Sequence, residues 1–288
     1  MPETPRLLYD DARYPEGPAR VEDTLYFVEY ARNAIQALTV DPEPTPATAA
    51  VRTVFTEPGL GFAAVIPGPD GLLWATAYDG NRVVAVSPHG EPQVSVAEDE
   101  QGAPFRGPND LVFDAEGGLW FTASGAFERS APAEGRVGYR APEGVVRAAA
   151  DGIHYANGIA MRPDGAVLYV AEHFRNRILA YPVQGPGRLG PPQVHADLTA
   201  LAPLPPGHDP KLGPDGMKCD PEGRLFIAQY GGGRVLVVAP DSALERVLPL
   251  PYPYTTNCAL SADRATLYVT AFRADAPPFT GGIFALPL

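Results

Sequence analysis

ANGIAMRPDGAVLYVA, residues 156–171, holds two short apolar runs on either side of Arg162-Pro163-Asp164-Gly165. Pro-Asp-Gly supplies the positive φ that a tight hairpin needs, so the stretch predicts two antiparallel strands. The second run extends to VLYVAEH (167–173) and has five counterparts: TLYFVEY (24–30), LLWATAY (72–78), GLWFTAS (118–124), RLFIAQY (224–230) and TLYVTAF (266–272). Their aromatics are Tyr26, Trp74, Trp120, Tyr169, Phe226 and Tyr268. They recur at a spacing of roughly 40–50 residues, with one longer gap between the fourth and fifth. Turn sequences such as VEDT, GPDG, DAEGG, DPEGR and SADRA precede them. Outward from each hairpin lie a third strand (NRVVAVS, NRILAYPV, GRVLVVAP) and in most units a fourth (VRTVF, PQVSV, PQVHADL, RVLPL). Six four-stranded antiparallel units make an all-β, six-bladed β-propeller, assigned here to residues 1–288 as a single domain. The sixth unit runs out after GGIFALPL, while RLLYD near the N-terminus has no partner of its own. Pairing these two would complete the last blade and close the ring against an exposed edge.

Composition agrees with this reading. The 288 residues include 34 prolines and 30 glycines, spread along the chain as turns rather than gathered in a linker. Formal net charge is −12, and the only lysines are Lys211 and Lys218. Without a basic stripe, nucleic acid and anionic membranes are not expected partners. The opening MPETPRLLYDDARYPEG has no basic segment followed by an apolar one, and no apolar run is long enough to span a bilayer. The expectation is a cytoplasmic protein, monomeric or weakly self-associating, acting on a small molecule. Cys219 and Cys258 read as two inert small hydrophobes.

Counting back from each repeat aromatic reaches the residue that starts the inner strand: Glu16, Asn109, Asn157, Asp215 and Asn257, with Gly61 or Phe62 in the second blade. Inner strands line a propeller's channel, so these side chains should converge at one end of it. Asn-Gly and Asp-Gly also form ordinary turns. Glu16 is no turn residue, however, and the shared register across blades favours a common site. Carboxylate and carboxamide oxygens around one point suit a hard divalent cation.

In YPEGPARVEDTLYFVE, RGPNDLVFDAEGGLWFT, YANGIAMRPDGAVLYVAE, GPDGMKCDPEGRLFIAQYGGGRV and TTNCALSADRATLYVTA, the chain resembles the senescence marker protein/gluconolactonase/luciferin-regenerating enzyme family, also called regucalcin-like. The matches fall in five of the six blades. The resemblance implies one divalent metal held by Glu16, Asn157 and Asp215. Ca2+ is the first choice; Zn2+, Mn2+, Mg2+ and Fe2+ are also admissible. It further implies that Asn109 contacts substrate or its water beside the metal, and that Arg106 contacts substrate.

The function expected is metal-dependent hydrolysis of a small lactone of the sugar type or a related one, with Asp215 as general base and Asn109 as its catalytic companion. Two other readings stand beside it. One is a different metal-assisted reaction, such as phosphotriester hydrolysis or an addition, elimination or cyclisation. The other is a calcium-binding propeller without catalysis. Loops at 97–108, 124–135, 198–213 and 272–282 are expected on the metal-bearing face. Phe127, Phe272 and Phe279 there point to tolerance of less polar substrates. His154 and His208 are open between acid–base and structural roles. Trp74 and Trp120 read as blade packing, and the YGGGRV glycines as a hairpin rather than a phosphate loop. No G-x-S-x-G elbow is present.

Overall fold

In the computed structural model, which describes residues 4–41, 43–204 and 208–288, six antiparallel sheets are arranged in a ring. Blade 1 is built from Pro15–Val21, Thr24–Glu29, Ala34–Thr39 and Val51–Thr56, and blade 2 from Phe62–Pro67, Leu73–Ala77, Arg82–Val86 and Pro92–Val96. Blade 3 follows with Pro108–Phe113, Leu119–Ala123, Gly135–Arg140 and Val146–Ile153. Blade 4 has Ala156–Met161, Val167–Glu172, Arg177–Gly185 and Gln193–Asp197, plus a fifth strand of two residues, Arg188–Leu189, that the repeat pattern did not announce. Blade 5 is Gly213–Cys219, Leu225–Tyr230, Arg234–Val238 and Leu244–Pro249. Blade 6 joins Tyr254–Leu260, Thr266–Phe272 and Thr280–Pro287 to the N-terminal strand Arg6–Arg13, which pairs Leu7 with Phe284. The ring therefore closes by the expected N- to C-terminal pairing. The inner strand of every blade packs on the inner strands of both neighbours.

Apolar residues on the facing sides of adjacent blades fill the space between them. Val28, Ile35, Phe62, Val65 and Leu73 lie between blades 1 and 2, and Trp120, Tyr139, Ile159, Leu168 and Leu179 between blades 3 and 4. Each fully buried side chain of this size stabilises by roughly 1.5–3 kcal/mol. The repeat tryptophans are buried as expected. A buried indole N–H requires an acceptor, and the preceding turn supplies it. Trp74 Nε1 donates to Asp70 Oδ2 at 3.0 Å, and Trp120 Nε1 to Asp114 Oδ2 at 3.0 Å. Cys219 and Cys258 are free thiols, each pushed up to about 12 by burial. Among the described residues no helix is long and apolar enough to cross a membrane.

All six inner strands share one irregularity that prepares the site. Their pairing with the second strand slips once near the start: between Glu16 and Ala19, Phe62 and Ala64, Pro108 and Leu111, Ala156 and Ile159, Pro214 and Met217, and Thr255 and Asn257. A bulge bends the strand and re-aims its side chains, and it leaves a carbonyl without a ladder partner. Hydroxyls from other blades fill that vacancy. Thr76 Oγ1 donates to Asn109 O, Thr122 Oγ1 to Asn157 O at 2.7 Å, and Thr256 Oγ1 to Pro15 O at 2.7 Å.

Candidate metal centre and substrate cavity

The bulged residues open onto one cavity of about 230 Å3 on the channel axis. Glu16, Asn109, Asn157 and Asp215 all line it, and all are buried, with 3–8% of their surface exposed. Asn257 does not join them. Its Oδ1 accepts from Cys258 N at 2.8 Å and from Lys218 Nζ at 3.2 Å, and its Nδ2 faces Asp110 Oδ2 at 3.4 Å. It belongs to a deeper polar layer in which Lys218 Nζ also lies 3.7 Å from Asp110 Oδ2. In blade 2 the lining residue is Ala63, not Gly61 or Phe62: it lies three residues before Ile66, the partner of Trp74, the same register as Asn109 and Asp215 in their blades.

Glycine follows three of the four polar lining residues for a steric reason. A Cβ on Gly158 would come within 2.3 Å of Asp215 O, and one on Gly216 within 1.9 Å of Asn257 Cγ. Inner strands approach this closely only where one of them lacks a side chain.

Arg106 lies elsewhere. Its side chain is 72% exposed, pairs with Glu134 Oε2 at 3.1 Å, and lines a separate cavity of about 400 Å3 with Phe105, Phe121, Arg136 and Arg147. Neither His154 nor His208 lines the axial cavity. Glu172 is structural: Oε1 accepts from His154 N at 3.0 Å and Oε2 from Arg177 Nε at 2.6 Å. Glu29 does the same work in blade 1, accepting from Arg13 N at 2.7 Å.

The electrostatics of the axial group are those of a site short of positive charge. Burial first, then repulsion from Asp215, pushes the Glu16 carboxyl well above its usual range. Burial also drives Asp215 well up, against a hydrogen bond from Asn157 that lowers it and with Asp110 adding to the rise. With Lys218 set against Asp110, Glu16 and Asp215 leave two formal negative charges on the axis. Asn157 Oδ1 is buried without a hydrogen-bond partner, and an unmet buried acceptor is costly. Among the described residues no trio of His, Cys, Asp or Glu forms a metal cluster. The set here is two carboxylates completed by a carboxamide. Two uncompensated charges and an orphaned oxygen, all from hard oxygen donors, fit one divalent cation.

The repeat segments also build a wall that counting inner-strand starts did not reveal. Four residues beyond each repeat aromatic stand Tyr30, Tyr78, Ser124, His173, Tyr230 and Phe272, at the ends of the second strands and so on the same face. Tyr14, Tyr155 and Phe127 fill in between. The rings form a closed belt: Tyr14–Tyr30 5.2 Å, Tyr30–Tyr78 6.4 Å, Tyr78–Tyr155 6.4 Å, Tyr155–Phe127 4.9 Å, Phe127–Tyr230 5.7 Å, Tyr230–Phe272 5.9 Å and Phe272–Tyr14 4.3 Å between centroids. His173 sits against this belt, with Nδ1 3.0 Å from Pro214 O and Nε2 2.8 Å from Lys211 O.

The sequence profile of the SMP-30/gluconolactonase/LRE-like region matches residues 14–273, which covers all six repeats. The chain belongs to this family. It is 27% identical to a gluconolactonase of Zymomonas mobilis, over 92% of this chain and 78% of that protein. It is 27% identical to a diisopropyl-fluorophosphatase of Loligo vulgaris, over 60% of this chain and only 56% of that protein. A gluconolactonase structure from Xanthomonas campestris superposes with a TM-score of 0.78 at 22% identity, covering 100% of this chain and 97% of the other. At that identity the superposition shows the shared fold.

Proposed function

We propose that this chain is a metal-dependent hydrolase that opens a small lactone. The observation that carries the reading is the convergence of Glu16, Asn157 and Asp215 on one buried axial point with two uncompensated charges and an unmet Asn157 oxygen. The relatives named as gluconolactonases support the reaction class. Glu16, Asn157 and Asp215 would hold the cation, Ca2+ by the hardness of the donors. When bound it supplies Lewis-acid polarisation of the ester carbonyl and balances the carboxylates.

The chain's own residues supply the remaining steps. Asp215 accepts the proton of the water that attacks the carbonyl carbon. The ring C–O bond then breaks, the proton passes to the departing alkoxide, and the product is a hydroxy acid. Asn109, whose carboxamide makes no hydrogen bond to other described residues, orients that water or the lactone oxygen. Tyr14 and Tyr155, both pushed well up by burial, stay protonated and act as donors rather than bases. Arg106 stays outside this scheme because it lines the other cavity.

A second reading, hydrolysis of a neutral phosphotriester, draws on the apolar wall and the Loligo vulgaris relative. Both are tested by turnover of lactones and phosphotriesters with calcium and with a chelator. Lactone hydrolysis that chelation abolishes and Asp215→Asn lowers at least about 100-fold supports the proposal. Turnover of phosphotriesters alone supports the second reading, and full activity of Asp215→Asn refutes the assigned base.

A further inference from the structure

We infer that the lactone this site accepts is flat and apolar, with the ring fused to or bearing an aryl group, and that polyhydroxylated sugar lactones are poor substrates. The inference rests on the lactonase reading above and deepens it.

The cavity wall carries the argument. Of its lining residues, Tyr14, Tyr30, Tyr78, Phe127, Tyr155, Tyr230 and Phe279 are aromatic, and none is Arg, Lys, His, Ser, Thr or Gln. Most of the polar atoms are committed elsewhere. Tyr30 Oη donates to Asp79 Oδ1 at 3.0 Å and Tyr78 Oη to Gly125 O at 2.8 Å. Asp275 is paired with Lys211, and Glu16, Asn157 and Asp215 are taken by the cation. What remains for a substrate is the Asn109 carboxamide and the hydroxyls of Tyr14, Tyr155 and Tyr230, the last buried without a partner of sound geometry. A sugar lactone carries a hydroxyl on nearly every carbon. Each loses its water on entering, and most would find no replacement here. A planar apolar ring instead meets a wall lined largely by aromatic side chains and needs no replacement hydrogen bonds.

The backbone shows that these rings are held in place at a cost. Tyr14, Tyr155 and Phe279 adopt φ of 51°, 64° and 51°, the left-handed region that bulky side chains avoid. Tyr14 and Tyr155 stand immediately before an inner strand, where Gly61 and Gly107 hold the same positive φ in blades 2 and 3, and Tyr14 N donates to Phe279 O at 2.8 Å; at a turn that glycine fills elsewhere, this chain keeps an aromatic ring on the cavity wall. The cavity volume of about 230 Å3 is below the roughly 300–1,000 Å3 of drug-sized clefts. It suits a molecule of one or two rings.

The test uses the full chain loaded with calcium. For 3,4-dihydrocoumarin, a benzo-fused δ-lactone, kcat/KM is expected to exceed that for D-glucono-1,5-lactone at least about 100-fold. Phe127→Ala should lower the dihydrocoumarin value about 10-fold or more and so shrink its lead over D-glucono-1,5-lactone. Equal or better turnover of the sugar lactone overturns the inference and leaves the lactonase reading intact. Titration calorimetry with non-hydrolysable lactams separates the two claims. If no lactone turns over but 3,4-dihydroquinolin-2(1H)-one binds more tightly than D-glucono-1,5-lactam, and Phe127→Ala weakens it, the recognition stands and the lactonase reading falls. No preference in turnover or binding defeats the inference.

Discussion

Replacing Glu16 with glutamine should make the metal-free protein more stable and the calcium-loaded protein less so. In the folded, cation-free state burial and Asp215 hold the Glu16 carboxyl well above its ordinary value of 4.5. The folded form then binds a proton that the unfolded form releases, so stability falls as pH rises past about 4.5. The cost is about 1.4 kcal/mol per pH unit until the folded pKa is reached, which bounds it near ~3 kcal/mol at pH 7. Glutamine keeps the shape and removes that cost. In a chain of this size about 1 kcal/mol moves the midpoint by roughly 2–4 °C, so Glu16→Gln in EDTA should melt several degrees above the parent. Calcium at a thousandfold excess over its Kd should add about 4.1 kcal/mol to the parent and much less to the variant, reversing their order. Differential scanning calorimetry at pH 7 with EDTA and with calcium reads both. A variant equally destabilised under both conditions would refute the claim that Glu16 faces Asp215 across a cation site.

Other expectations rest on separate parts of the structure. Gly216→Ala drives a methyl into Asn257 and should cost about 3 kcal/mol or more in urea denaturation; an unchanged midpoint would mean that the inner strands are not packed this closely. Burial pushes His173 down to about 4, against two carbonyls that pull it up. A depressed histidine contributes stability that is complete above about 6.5 and is lost as pH falls toward 4, up to roughly 3 kcal/mol. The pH dependence of unfolding between 6.5 and 4 should therefore be shallower in His173→Phe than in the parent, and equal slopes would contradict the burial.

Much of this was legible in the residues. The six aromatic segments and their turns announced the blades, because a period-two strand flanked by Asp-Gly turns has few other uses. The N-terminal strand was placed by the missing partner of the last blade. Register alone brought Glu16, Asn109, Asn157 and Asp215 together, and they line one cavity. Asn257 stands one residue past that register, two rather than three before the partner of its repeat aromatic, and so faces the deeper layer with Asp110 and Lys218. A count along the chain cannot see where each strand slips. In blade 2 the expected Gly61 or Phe62 falls one or two residues short of Ala63, which holds the register of Asn109 and Asp215. Arg106 is near Asn109 in sequence but is drawn outward by Glu134. The aromatic belt did have a signal, the residue four beyond each repeat aromatic. Its closure could not be read, because Tyr14, Tyr155 and Phe127 enter it from irregular or left-handed backbone outside the repeat.

The most direct measurement is a calorimetric titration of calcium into chelator-treated protein, set beside Asp215→Asn and Asn157→Ala. One equivalent bound by the parent, with binding lost or weakened at least about tenfold in both variants, is the result required of side chains that meet around a single ion. Absence of binding in the parent, or undiminished binding in both variants, would contradict it.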